Sequence, residues 1–449
     1  MQDFQLFISR LSGLLWGWPM IILLLGTHLF LTIRLKFPQR KIFKGIALSV
    51  KKDPGSKGDV SQFGALATAL AATIGTGNII GVATAVSLGG PGAVLWCWLT
   101  GVFGIATKYS EGLLAVKYRV KTSDGTMMGG PMYALERGLH MKWLAILFCI
   151  FTVFAALGIG CSVQANSISA MMYESFHIPH YVSGLIMTVL VALVIFFGIK
   201  GIARVCSILV PFMAVFYILG CLIILVMNAG FLGEAVSLIA KSAFSAKAVG
   251  GGLAGGGLMV AMRYGIARGL FSNESGMGSA PIVAAAAQTR NPVRQALVSS
   301  TGTFWDTVIV CALTGLVLVT SILRYPDIDY HQGALLTKMA FGKVHILGSV
   351  ILTVGLITFA FSTILGWSYY AEKAIEYLGG KKVIKVYRLV WVAAVYAGSV
   401  VNLAMIWNIA DCMNALMAIP NLISLLFLSG VLVKETNKYL WSGNLDETA

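Results

Sequence analysis

Charge is what this chain of 449 residues has least of: Asp, Glu, Lys and Arg together make up 11% of it, against about a quarter of a soluble globular domain. Acidic residues are the scarcer sign, 18 against 33 basic ones, leaving a formal net charge of +15. Raw material for catalysis is short as well. The six histidines are scattered without an i,i+4 pair, and no His-Glu-x-x-His, Gly-x-Ser-x-Gly or aspartyl dyad occurs in the apolar segments. An enzyme is therefore not expected. The seven cysteines (Cys97, Cys149, Cys161, Cys206, Cys221, Cys311 and Cys412) all fall in apolar stretches without a C-x-x-C pair. They read as small buried hydrophobes, with neither disulfides nor a zinc site indicated.

What the chain has instead is apolar length. It is 57% hydrophobic, with a mean hydropathy of +0.83. Val60 to Thr107, Trp143 to Tyr173, Val205 to Gly233, His345 to Ala371 and Leu389 to Ala410 contain no Asp, Glu, Lys or Arg. Each exceeds the roughly 20 residues a helix needs to cross a bilayer, so the chain reads as an all-α polytopic membrane protein. Eleven spans are expected. A leading helix, Leu14 to Ile33, is followed by Ala65 to Leu88, Ala93 to Val116, Trp143 to Tyr173, Tyr181 to Ile199 and Val205 to Ala229. The second set is Gly255 to Ala287, Gln295 to Leu323, Ile346 to Tyr370, Tyr387 to Met405 and Ile409 to Val433. The leading stretch has one Arg and one Asp upstream and no small-residue cleavage site, so it is kept as a span and not read as a signal peptide.

The basic excess is a topology signal. Counted on alternate sides of the spans, 25 of the 33 Lys and Arg lie on one side and 8 on the other, with the richest loop running from Arg34 to Lys57. By the positive-inside rule that loop is cytoplasmic, which puts the N-terminus outside and the C-terminus inside a plasma (inner) membrane. Nucleic acid is not expected as a partner; membrane lipid is, and no obligate protein partner is evident.

Setting the leading helix aside, five spans precede Ala229 and five follow Gly250. An odd number per half makes the second half start from the opposite face, which produces an inverted-topology repeat. The expected organisation is a leading helix and basic loop (1–60), a first repeat (61–229), an extracellular linker helix (230–250), a second repeat (251–433) and a cytoplasmic tail (434–449). The first span of each half carries a polar, glycine-bearing interruption: Thr73-Ile-Gly-Thr-Gly-Asn78 and Ser272-Asn-Glu-Ser-Gly-Met-Gly-Ser279. In hydrocarbon such a break is tolerated only where it faces protein or a water-filled cavity. Paired breaks in two halves point to a transporter's binding site.

A broken helix offers free N–H groups on one half and free C=O groups on the other. A zwitterionic amino acid uses both, and an alkali cation takes carbonyls together with hydroxyls. Thr73 and Thr76 flank the first break, Ser272 and Ser275 the second, and Ser362-Thr363 lies mid-way along a later span.

Gly89-Gly-Pro-Gly-Ala-Val-Leu-Trp-Cys-Trp98 resembles the signature of the alanine/glycine:cation symporter family, also called sodium:alanine symporters, with Leu95 where the family has Phe and Cys97 where it has Met. Gly75-Thr-Gly-Asn-Ile79, Gly269-Leu-Phe-Ser-Asn-Glu-Ser-Gly-Met-Gly-Ser-Ala-Pro281 and Phe361-Ser-Thr-Ile-Leu-Gly-Trp367 match as well, and the resemblance runs over nearly the whole chain. It implies a leucine-transporter-type core of five plus five helices, broken at the first and sixth, with alternating access driven by Na⁺ as the co-transported ion and no organic cofactor. It implies a sodium site of the carbonyls of Ala71, Ile74 and Phe359 with the hydroxyls of Ser362 and Thr363. The substrate, a small neutral amino acid such as alanine or glycine, would place its carboxylate at N–H groups around Gly75, Thr76 and Gly77. Its ammonium would face carbonyls near Phe271, Ser272 and Ser275, with Gln164 and Trp367 as pocket walls. A second cation site near Thr73, Asn78 and Ser272 follows from fold analogy.

Charges inside spans are costly and usually functional. Glu274 lies in the second break, Arg263 and Arg268 precede it, and Asp306 falls in the next helix. Either Arg268 forms a structural ion pair with Asp306 or Glu274, or one of the carboxylates couples transport to protons. Lys108 and Glu111, three apart, are expected to pair at the cytoplasmic end of their helix.

Overall fold

The computed structural model describes residues 2–51, 53, 56–245, 257–333, 335–401 and 404–448, apart from the side chains of 2–5, 345, 404, 405 and 407. The glycine runs at 250–252 and 255–256, Lys247, Lys52 and the boundary between the two halves fall outside the described residues.

The described residues are helical almost throughout; the one sheet among them is a short antiparallel hairpin pairing Val120–Lys121 with Met127–Met128. Among the described residues seven helices are long and apolar enough to cross a membrane: Leu6–Arg34, Lys142–Phe176, Gly198–Met227, Pro292–Arg324, Ile346–Gly379, Lys381–Val400 and Asn408–Phe427. Gln62–Thr73 and Gly77–Gly89 make an eighth when taken together across their 51° bend. Three further helices occupy expected spans but fall short of that standard for visible reasons. Ala93–Lys117 is 25 residues long but carries Lys108 and Glu111. His180–Ile195 is 16 residues long. Leu258–Asn273, also 16, carries Arg263 and Arg268.

Two segments differ from their expected form. The stretch ending at Ala287 stays helical only to Asn273; Glu274, Gly276 and Gly278 then take positive φ of 53°, 90° and 86°, a region incompatible with a continuing right-handed helix. Helix resumes only over Pro281–Ala284. The last expected span, drawn to Val433, ends at Phe427, and Ser429–Thr436 forms a separate helix.

Packing sorts the surfaces as a bilayer requires. Trp367, Trp391, Tyr217 and Phe359 are fully buried, while Ile22, Ile208, Phe212, Val226 and Ile346 stand exposed on outer helix faces. Exposed apolar residues in such numbers suit lipid and not water. At one end of the helices Arg119 donates to the carbonyls of Lys57, Ala285 and Ala287, and Asp53 meets Arg290 and Arg294. Asn291 reaches the carbonyls of Leu445 and Glu447 in the tail. At the other end Trp96 donates to the Ala243 carbonyl in the helix Leu232–Phe244, and Arg324 to Asn228.

Candidate functional site

The first break begins where a well-capped helix stops. Ser61 accepts from Gly64 N–H at 3.0 Å to start Gln62–Thr73, and Ile74, at ψ 89°, turns the chain out of helical geometry. Gly75 N–H donates to Asn78 Oδ1 at 2.9 Å. The second half opens at Thr76 as a wide π turn over Gly77–Gly81; such turns cluster at functional sites. The N–H groups of Thr76 and Gly77 belong to a first turn, where a helix has no acceptor of its own to offer.

The second break is held from outside. Glu111 Oε1 accepts from Gly276 N–H at 3.1 Å, Gly278 N–H at 3.0 Å and Asn421 Nδ2 at 2.7 Å. Asn421 also donates to the Gly276 carbonyl at 2.9 Å. Thus a carboxylate of Ala93–Lys117 and an amide of Ala404–Phe427 grip the unwound segment between them.

The two breaks meet. Gly77 approaches Phe271 so closely that an added Cβ would lie 3.3 Å from its ring and 3.5 Å from Ser272 Cα. Between them and Ile346–Gly379 is a cavity of about 20 Å³, lined by Thr73, Gly75, Thr76, Gly77, Gln164, Phe271, Glu274, Thr363 and Trp367 with Ala72 and Ile159. That is room for about one water molecule, so the arrangement is closed and its walls must part to admit a solute. Larger hollows at the periphery, such as the one beside Arg119 and Arg290, are open clefts among loops away from both breaks.

Beside the cavity four oxygens converge. Ser362 Oγ lies 3.1 Å from the Ala71 carbonyl and 2.9 Å from that of Phe359; Thr363 Oγ1 lies 3.2 Å and 3.0 Å from the same two. All four residues are buried. Each hydroxyl has two carbonyls competing for one proton, an arrangement that a small cation at their centre would relieve, since hard cations take oxygen ligands. Ile74, expected in the same set, is fully buried where the half-helix ends. The donor set therefore fits an alkali ion without a carboxylate.

Of the expected substrate residues, Gly75, Thr76, Gly77, Gln164, Phe271 and Trp367 line the one cavity. Ser272 and Ser275 turn their side chains elsewhere: Ser272 Oγ donates to Asp306 Oδ2 at 3.0 Å, and Ser275 Oγ pairs with Thr303 Oγ1 at 3.1 Å. The charged residues do not pair as expected. Asp306 accepts from Asn78, Ser272 and Thr307, and Glu274 from Ser279 and Trp367, so Arg268 bonds neither. Lys108 and Glu111 do not pair either: the second break claims one Glu111 oxygen, and Lys108 Nζ is buried without a hydrogen-bond partner among the described residues. Helical spacing alone suggested the pair, whereas partners from other elements decided it. Asn421 gave no signal beyond being a polar residue in a late apolar helix.

Helices broken midway and opposed across a closed central cavity define a secondary transporter. The chain belongs to the sodium:alanine symporter family, whose profile matches residues 1–448. It is 50% identical over 445 residues to the sodium/alanine symporter AgcS of Methanococcus maripaludis, covering 97% of each chain. It is 52% identical over 437 residues to an uncharacterized transporter of Haemophilus influenzae, covering 96% of this chain and 95% of that one. Among solved structures, MhsT in complex with L-phenylalanine matches with a TM-score of 0.51 at 15% identity, over 85% of this chain and 99% of the other. That likeness is one of fold.

Proposed function

We propose that this protein is a sodium-coupled symporter that imports small neutral amino acids, alanine and glycine, by alternating access. The observation that carries this reading is the convergence of Ala71 O, Phe359 O, Ser362 Oγ and Thr363 Oγ1 beside the cavity. An ion there, completed by the Ile74 carbonyl, would tie the first half-helix to Ile346–Gly379, and its binding would couple to that of a substrate in the adjoining space. The substrate carboxylate would rest on the N–H groups of Thr76 and Gly77, at the positive end of a half-helix; Gly75 N–H is engaged by Asn78. The bulk of Phe271 and Trp367 in the cavity wall would leave room for only a small side chain once the walls part.

The reading takes the eight long spans together with Ala93–Lys117, His180–Ile195 and Leu258–Asn273 as eleven crossings, five plus five in inverted repeat after a leading helix. The N-terminus is outside and the C-terminus, with the basic loops, in the cytoplasm. The test is alanine uptake into proteoliposomes driven by a sodium gradient. Uptake that persists without Na⁺ and collapses with the proton gradient would reject sodium in favour of coupling through Glu274 or Asp306.

A further inference from the structure

Glu274 is the one ionisable side chain among the described residues lining the central cavity. It sits at the end of Leu258–Asn273 with φ 53° and ψ 21°, a left-handed conformation that is strained for a non-glycine residue and that glycine would adopt without strain. Its neighbours Gly276 and Gly278 make such turns with glycine. The strain buys a side chain at that position.

That side chain is held but not neutralised. Glu274 Oε1 accepts from Trp367 Nε1 at 3.1 Å and Oε2 from Ser279 Oγ at 2.5 Å, both uncharged donors. Lys108 acts on it electrostatically but gives it no hydrogen bond, and the Lys108 charge is shared with Glu111 and Asp306. A buried carboxylate without a paired cation carries a large desolvation cost. The carbonyls at the end of the same helix add negative potential on the same side of the cavity. Thr76 and Gly77, with first-turn N–H groups, line the same cavity, which therefore offers a carboxyl from the second break and the positive end of a half-helix from the first.

We propose that Glu274 is the counter-ion of the substrate ammonium, and that it sets specificity for α-amino acids over carboxylic acids of the same shape. This rests on the symporter reading above. The ammonium would complete the charge balance of the Glu274 carboxylate while the substrate carboxylate meets the opposite half-helix. Trp367, bonded to Glu274, would serve as a positioning residue, fixing the carboxylate's aim.

The experiment compares alanine with lactate, which puts a hydroxyl where alanine has its ammonium, in proteoliposomes holding the full chain. The wild-type protein should discriminate against lactate as a competitor, and Glu274→Gln, which keeps the size and an acceptor for Trp367, should raise the alanine KM roughly 10–100-fold, the range of a charge-assisted bond. The same variant should lose most of the discrimination against lactate, whereas Glu274→Asp should keep it. An alanine KM within about twofold of wild type, or alanine and lactate weakened equally, would overturn the proposal, because a merely structural role moves both ligands together. Lactate competing as well as alanine in the wild-type protein would overturn it without any variant. Absence of sodium-driven alanine uptake by the wild-type protein would instead sink the symporter reading itself.

Discussion

Asn78 Nδ2 lies 2.7 Å from Asp306 Oδ1, and through that contact the two breaks become one structure. Asn78 Oδ1 takes the Gly75 N–H of the first break, and Asp306 Oδ2 takes the Ser272 hydroxyl of the second. Asp306 itself lies in a π segment, Phe304–Cys311, of the following helix. Three consecutive hydrogen bonds therefore connect one break to the other.

Removing that link should uncouple the breaks. Asp306→Ala removes the carboxylate that accepts from Asn78, Ser272 and Thr307 in a buried site; Asn78 and Ser272 keep weaker contacts to Cys311, while the Thr307 hydroxyl loses its acceptor at about 1–3 kcal/mol. Alanine transport should fall at least about tenfold and thermal stability in detergent should drop. Wild-type uptake and an unchanged melting temperature would show that the link is incidental.

Thr363→Ala deletes one of the four converging oxygens, so the sodium concentration for half-maximal uptake should rise several-fold. Thr363→Ser keeps the oxygen and should stay near wild type. Titrating uptake against Na⁺ distinguishes them, and identical Na⁺ dependence in all three proteins would remove the ion from this place.

Gly75→Ala should be worse than its size suggests. An added Cβ would lie 2.7 Å from Thr363 Oγ1, closer than carbon and oxygen can approach without one of them shifting. Overpacking of this kind costs about 1–3 kcal/mol, and here it falls between cavity and ion site. Both alanine affinity and Na⁺ affinity should weaken; a loss confined to stability would argue that the two sites do not share Gly75.

Glu111→Ala leaves three buried donors, two of them backbone, without their acceptor. Each buried donor left unsatisfied costs about 1–3 kcal/mol. The variant should melt well below wild type and show faster hydrogen exchange over 274–280. Retained protection there would mean that the segment holds its shape unaided.

The tail offers a pH test. Hydrogen bonding to the Arg294 guanidinium holds the exposed Asp446 carboxyl below the usual carboxylate range. A folded value below the unfolded one means the contact contributes fully above the unfolded value, about pH 4, and is lost as pH falls through the folded one. Protection factors over 443–448, exchange rates divided by the intrinsic rate at each pH, should be steady near neutrality and fall only in acid. Asp446→Asn should show the lowered protection at every pH, and a variant protected like wild type would rule the contact out.

Much of the site was legible beforehand because its signals are local. Gly75 to Gly77 and Glu274 to Gly278 stood out as polar, flexible runs inside apolar helices, and Ser362-Thr363 as adjacent hydroxyls in mid-span. Lys108 and Glu111 misled for the same reason, since a three-residue spacing reports only that two side chains share a helix face. It says nothing about Gly276, Gly278 and Asn421, which hold Glu111 from elsewhere in the chain.

The amino-acid sequence by itself determined that the chain is helical and built for a membrane, that two of its helices break, and which residues stand at the breaks. These follow from apolar length and backbone chemistry, which act between near neighbours. Only the tertiary structure decided that Asn78 and Asp306 join the breaks, that Glu111 grips one of them, that Ser272 and Ser275 turn from the cavity, and that Glu274 faces into it. Those outcomes depend on which helix faces which across separations of up to 310 residues, and burial forces every polar group there to find whatever partner the packing brings.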